Sequence, residues 1–389
     1  MNKKICFVVQ RYGLEVNGGA ELHCRKLAEH MLPYYNNVHV LTTKAIDYIT
    51  WKNEYECDEE IIHGVYVHRF SVRHQRNKAQ FDAYSNRVLL GHTTHKEERQ
   101  WIEKQGPVVP ELIDYLIKNK YEYSAFIFFT YLYYPTVLGV KEVKERAIVI
   151  PTAHDEPFLK LKIFENVFKL PRFIFYNTDE ERNLVQRIFH NESIPYELGG
   201  IGIDLPKIID GERFKAKYNI NKFILYVGRI DESKNCHILI DYFLEYKKRN
   251  CNDIKLVLMG KSAIKIPKID DIIDLGFVDE NDKFDGIAAA ELLVLPSEYE
   301  SMSMVVLEAM SVSTPVIVNG LCEVLKGHCI KSNGAFYYRN YFEFEGEINY
   351  IINNVNKVNV MCENAKKYVE ENFRWNIIEE KLCRLIEMI

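Results

Sequence analysis

The segment Phe223-Ile224-Leu225-Tyr226-Val227-Gly228-Arg229-Ile230-Asp231-Glu232-Ser233-Lys234 carries a pattern that much of the chain repeats. Five apolar residues follow one another without alternation, the composition of a parallel strand buried on both faces. A glycine then turns the chain. Cys236–Asn250 sets Ile238, Leu239, Tyr242, Phe243 and Tyr246 on one face of a helix. Downstream, strands are expected at Ile254–Met259, Ile272–Leu275, Leu292–Pro296 and Val316–Asn319, with helices at Asn281–Ala290 and Ser303–Ser311. Upstream the same rhythm gives strands at Ile5–Gln10, Val38–Thr43, Val65–Phe70, Ala125–Thr130 and Ala147–Pro151, and helices at Glu21–Leu32 and Val108–Lys118. Strands alternating with helices predict an α/β protein with doubly wound parallel sheets.

Length and composition agree. A chain of 389 residues favours two domains at about 100–200 residues each. The turn-rich stretch Leu198–Pro206 reads as a hinge, and two sheets in series would leave a cleft between them. A hydrophobic content of 47% excludes a disordered chain. The longest apolar runs, Ala125–Phe129 and Ile287–Pro296, fall well short of the ~20 residues of a spanning helix. A net charge of −5, from 50 Lys+Arg against 55 Asp+Glu, argues against a nucleic-acid binder. Nine cysteines are scattered with no CxxC, and the apolar run after Lys4 is too short for a signal peptide, so the cytoplasm is the expected compartment. Cys322, His328 and Cys329 lie close together but fall short of the four ligands a structural zinc wants. No metal site is expected.

Ligands of open parallel sheets bind at the carboxyl ends of the strands. Arg229 and Lys234 follow the strand Phe223–Val227, and together they can clamp a polyphosphate. The alternative is a solvated loop. Ser297-Glu298-Tyr299-Glu300-Ser301-Met302-Ser303-Met304-Val305-Val306-Leu307-Glu308 follows another strand and opens a helix, whose free N–H groups favour an anion. Two carboxylates beside an anion site suit a ligand with hydroxyls on both sides of its phosphates; otherwise Glu298 and Glu300 are helix caps and Glu308 a surface acid. Gly18 and Gly19, within Asn17–Glu21, follow the first strand without forming a GxGxxG fingerprint. His154 and Asp155 follow the strand Ala147–Ile150. The aromatics of Phe128–Pro135 are read either as an acceptor-stacking platform or as core. Residues 71–104 interrupt the rhythm with a polar, partly basic excursion.

The pair Glu300-x7-Glu308 resembles the EX7E signature of retaining glycosyltransferases of the GT-B fold, group 1 (family 4). LYVGRIDESKN, LVLMG, IIDLGFV and KFDGIAAAELLVLPS fall in that family's order ahead of the signature. Gly199–Asp204 resembles its interdomain linker, and Asn372–Trp375 the segment returning the last helix to the first domain. The resemblance implies a GT-B architecture: two Rossmann-like domains facing a cleft, 1–198 completed by 374–389, a hinge at 199–205, and a nucleotide-sugar domain at 206–373.

It further implies a metal-independent, retaining transfer from a nucleotide-diphospho-sugar to an acceptor hydroxyl, with no resident cofactor. Arg229 and Lys234 would neutralise the diphosphate. Glu308 would accept from the ribose and Glu300 from a sugar hydroxyl. The backbone at Met302–Met304 would meet the sugar or diphosphate, and Gly276, Phe277 and Val278 would line the base pocket. Gly18 and Gly19 would face donor and acceptor, and His154 the sugar. Ser301 and Ser303 stand where the family usually has glycine. A glycan or lipid-linked glycan of bacterial surface polysaccharide is the implied acceptor, with the basic stretch Arg73–Lys96 one route to a peripheral membrane contact. A sugar-nucleotide epimerase and a non-catalytic nucleotide-binding subunit are the alternatives.

Overall fold

Uninterrupted apolar runs become the centres of two sheets. The computed structural model describes residues 3–16 and 18–389. It divides into one unit, the chain up to Ile201 together with Trp375–Ile389, and a second unit, Gly202–Arg374.

The first unit holds β1 (Lys4–Val8), β2 (Asn37–Thr43), β3 (Glu59–Ile62), β4 (Val65–Phe70), β5 (Ala125–Phe129), β6 (Ala147–Ile150), β7 (Phe173–Tyr176) and β8 (Tyr196–Leu198). Their order in the sheet is β3-β4-β2-β1-β5-β6-β7-β8, parallel except for the β3–β4 pair. The second unit holds β9 (Phe223–Val227), β10 (Lys255–Met259), β11 (Ile272–Gly276), β12 (Leu292–Leu295), β13 (Val316–Asn319) and β14 (Phe336–Tyr338), ordered β11-β10-β9-β12-β13-β14 and wholly parallel. Every residue of β5, β6 and β12 is buried, as a sheet covered on both faces demands.

Each sheet starts at a central strand, builds to one edge, and resumes on the other side. The reversal falls between β1 and β5 in one unit and between β9 and β12 in the other. At such a reversal the two following loops run to opposite faces and open a crevice at the carboxyl ends. The loops after β9 and β12 are the two segments that carry Arg229, Lys234 and Glu300. The carboxyl ends of β9, β10 and β11 are laced by their main chains: Gly228 N–H donates to Met259 O at 2.9 Å, and Gly260 N–H to Gly276 O at 2.7 Å. Gly260 has φ +147°, and a Cβ there would lie 1.8 Å from Gly228 O. Only glycine fits.

β3, β7, β8 and β14 have no counterpart among the expected strands. They are three or four residues long and lie toward the sheet edges. The excursion at 71–104 folds into helices Lys78–Leu90 and His95–Gln105. Trp101 is buried in it and donates to Ser85 Oγ at 2.9 Å. Its cations are largely committed: Lys78 to Asp82, Arg87 to Glu97, Arg99 to Glu103. Arg76 donates to Ile49 O at 2.8 Å and to Gln105 Oε1 at 3.0 Å. Of the two readings of the aromatics at Phe128–Pro135, burial supports core. Phe128, Phe129, Tyr131 and Tyr134 are buried, because the strand and the helix after it supply core to both faces of the sheet.

The last helix, Trp375–Glu387, packs within the first unit. The His30 ring stacks on Trp375 at 3.7 Å, and Glu379 accepts from Tyr34 Oη at 2.8 Å. No helix among the described residues is long and apolar enough to cross a membrane.

Gly260→Ala should cost about 3 kcal/mol, combining a disfavoured φ with a main-chain clash. Urea unfolding followed by far-UV dichroism checks it; a loss under about 0.5 kcal/mol, the level of an ordinary surface change, would contradict the close packing of these loops.

Candidate active site

The loop after β9 is built around Asp231. Its Oδ1 accepts from the Lys234 main-chain N–H at 3.0 Å and from Ser233 Oγ at 2.7 Å, closing one turn of 3-10 helix over Glu232–Lys234. Its Oδ2 pairs with Arg229 Nε at 2.8 Å. One carboxylate thus sets both cations. Asn235 follows in the left-handed region and donates from Nδ2 to Glu298 Oε1 at 3.1 Å and to Pro296 O at 3.3 Å. The loops after β9 and β12 are thereby tied together.

Across this seam Lys234 Nζ meets Glu300 Oε1 at 2.6 Å, with the side chains 27% and 16% exposed. A pair that keeps some access to water stabilises by about 1 kcal/mol. An incoming anion can therefore compete for the lysine. Glu308 lies in the helix Met304–Ser311 and accepts from Lys283 Nζ at 2.7 Å. Lys283, on the helix Glu280–Ala289, is absent from the set of residues the sequence singles out.

The helix Met304–Ser311 starts without a side-chain cap. Glu300 is therefore not a cap; its carboxylate holds Lys234 instead. Ser303, the residue before the first turn, has φ +68° and ψ +90°, a region a residue with a Cβ disfavours. With no side-chain cap, the first N–H groups of the helix are left to other partners, and such groups receive anions elsewhere. Behind the loop, Cys322 Sγ donates to Glu300 O at 3.9 Å and His328 Nε2 to Met302 O at 2.8 Å. His328 and Cys322 are thus occupied as supports of this loop. No group of three or more His, Cys, Asp or Glu placed to hold a metal occurs among the described residues. Phe277, just past β11, leaves its ring 77% exposed, and Val278 beside it is half-buried.

In the first unit the glycines play unequal parts. Glu21 Oε1 accepts from Gln10 Nε2 at 2.8 Å, Arg11 Nε at 2.9 Å and Arg11 Nη2 at 2.6 Å, all buried. A Cβ on Gly18 would stand 2.1 Å from Glu21 Oε2, whereas one on Gly19 would meet nothing within 4 Å. Gly18 makes room for a buried ion pair. Asn17 lies outside the described residues. His154 is half-buried, with Nε2 3.5 Å from Glu156 Oε1. Glu156 also accepts from the buried Tyr131 hydroxyl. Glu181 is fully buried, and burial pushes its carboxyl up to about 8. It accepts from Ala153 N–H at 2.5 Å and Asn177 N–H at 2.6 Å, fixing the segment that leads into His154.

Glu156 and Glu181 are likewise outside the set that sequence reasoning selects. For Glu181 a signal exists: Thr178-x-x-Glu181 has capping-box spacing, and Thr178 Oγ does accept from Glu181 N–H at 3.1 Å.

Residues 210–368 match the family described as glycosyl transferases group 1. An uncharacterized glycosyltransferase of Methanocaldococcus jannaschii is 26% identical over 227 residues, covering 55% of this chain and 56% of the relative, so the alignment spans about half of each. Sucrose-phosphate synthase of Thermosynechococcus elongatus superposes with a TM-score of 0.74 at 16% identity, over 99% of this chain and 98% of the other. Anabaena HepE, solved in complex with UDP-glucose, gives 0.72 at 17% identity, over 99% and 100%.

Ser303→Gly should raise stability by about 1 kcal/mol, because glycine adopts φ +68° at no steric cost. A denaturant titration reads the change directly; a loss of stability would mean the serine side chain supplies an interaction larger than its backbone strain.

Proposed function

Residues 210–368 are a group 1 glycosyl transferase domain on a GT-B fold, and from this premise we propose that the chain transfers a glycosyl group from a nucleotide-diphospho-sugar to an acceptor hydroxyl, with retention and without a metal. The observation that carries the reading is the Lys234–Glu300 contact at the strand-order reversal, beside Arg229 and the uncapped helix start. The likeness to HepE, whose structure holds UDP-glucose, supports a nucleotide-sugar donor.

The difficult part of such a transfer is charge. As the bond between the anomeric carbon and the phosphate oxygen breaks, negative charge grows on the departing diphosphate. Arg229, Lys234 and the N–H groups at Met304 and its neighbours are the groups we assign to receive it. Donors held in place before reaction lower the barrier because little reorganisation is left to do. Glu300, once Lys234 turns to phosphate, is available to a sugar hydroxyl. Glu308 and Lys283 together offer an acceptor and a donor to the ribose. The exposed Phe277 ring gives the base an apolar face to stack on.

In a front-face route the acceptor oxygen forms its bond to the anomeric carbon on the side the phosphate leaves. The acceptor's proton passes to the departing phosphate oxygen. On the family resemblance alone, His154 is assigned to a sugar hydroxyl. The acceptor class, a glycan or lipid-linked glycan of surface polysaccharide, rests on the family resemblance alone.

Lys234→Ala should lower kcat by about 10²–10³ with saturating donor. Normal turnover by that variant would refute the clamp. Glu300→Gln removes the carboxylate that competes for Lys234. Nucleoside diphosphate should then bind about threefold more tightly, the equivalent of a partly exposed ion pair, while transfer falls. Calorimetric titration beside a transfer assay separates the two, and weaker nucleotide binding by Glu300→Gln would count against the competition. Transfer that EDTA abolishes and manganese restores would refute metal independence.

A further inference from the structure

His328 lies on the helix Glu323–Ser332, outside the set of groups assigned to the donor, and is 2% exposed. Its Nε2 is 2.8 Å from Met302 O and its Nδ1 is 3.0 Å from the Tyr368 hydroxyl. A carbonyl can only accept, so Nε2 carries the proton. Burial pushes the ring down to about 4, so at neutral pH it holds one proton, and Nδ1 accepts from Tyr368. Tyr368 and Phe373 both present T-shaped ring contacts to His328, at 6.0 and 5.9 Å. The imidazole has one tautomer and little freedom to turn.

The carbonyl it holds belongs to the peptide joining Met302 to Ser303. Ser303 sits at φ +68°, which a residue with a Cβ leaves if allowed. Relaxation to a negative φ would swing this peptide, turning its N–H away from the helix start and its carbonyl out of its pocket. Met302 is buried, so a carbonyl deprived of its donor would be left unsatisfied, and the swing would relieve both penalties at once. The helix lacks a side-chain cap that could resist.

We propose that His328, oriented by Tyr368, is a positioning residue that locks the Met302–Ser303 peptide and so keeps the N–H groups ahead of Met304–Ser311 aimed at the donor diphosphate. The inference rests on the donor-site reading above, and its test separates the two. UDP, GDP, ADP and dTDP are first screened for thermal stabilisation of the wild-type chain, and the best of them is titrated by calorimetry. If none binds the wild type, the donor-site reading fails and this inference with it.

Given a binder, His328→Phe keeps ring volume but removes the donor, and should weaken binding at least tenfold. His328→Gln, which keeps an N–H, should recover part of the loss. The sharper readout is coupling. In a Ser303→Gly background the strain is gone, and the penalty of His328→Phe should shrink to under threefold. A structural role alone would give equal penalties in both backgrounds. Wild-type affinity in His328→Phe, or an undiminished penalty in the Ser303→Gly background, overturns the proposal. If His328→Phe is recovered only as aggregate, Tyr368→Phe carries the test: about threefold weaker binding supports the lock, and unchanged binding overturns it.

Discussion

A single 2.6 Å contact, Lys234 to Glu300, joins the loops after β9 and β12 of the second unit, and the proposed chemistry depends on it. It exists because the strand order reverses between β9 and β12, which brings the two following loops to one crevice. Asp231 fixes the lysine's main chain, and Asn235 ties its loop to Pro296 and Glu298. The pair keeps some access to water, which limits its net strength to about 1 kcal/mol. That weakness matters. A fully buried pair would resist an incoming phosphate, whereas under the proposed function this one would give way to a ligand carrying more charge.

The supporting structure is stiffer than the pair itself. Gly260 packs against Gly228 at a distance no side chain could tolerate, which joins the crests of β9 and β10. Cys322 and His328 hold two carbonyls of the loop after β12 from behind. Ser303 stores strain at the one bend that directs the helix start. Strained backbone survives where neighbours over-determine it, and such places cluster at functional sites. The first unit repeats the scheme with other residues: a buried Glu21 paired to Arg11 beside Gly18, and a buried Glu181 bracing the segment before His154.

Most of this architecture was legible in the residues. Phe223–Val227 and Val316–Asn319 announced themselves as strands because parallel sheets bury both faces. Short edge strands such as Tyr196–Leu198 and Phe336–Tyr338 did not, since three residues carry too little pattern. Arg229, Lys234, Glu300 and Glu308 were singled out through spacing and family resemblance. Their partners were not. Lys283 stands 25 residues from Glu308, and His328 lies 26 from Met302. Those contacts are made by packing rather than by local sequence. The aromatics of Phe128–Tyr134 allowed two readings, platform or core, because a run of rings at a strand end fits both; the burial of Phe128, Phe129, Tyr131 and Tyr134 favours core.

Where phosphate binds decides whether Lys234 and the helix start form a donor site. A crystal structure of the chain soaked with a nucleoside diphosphate addresses that most directly. The prediction is a diphosphate within hydrogen-bond distance of Lys234 Nζ and of main-chain N–H groups at Ser303–Val305, with the Lys234–Glu300 contact lengthened. A diphosphate bound away from both loops, with that contact intact at 2.6 Å, would contradict it.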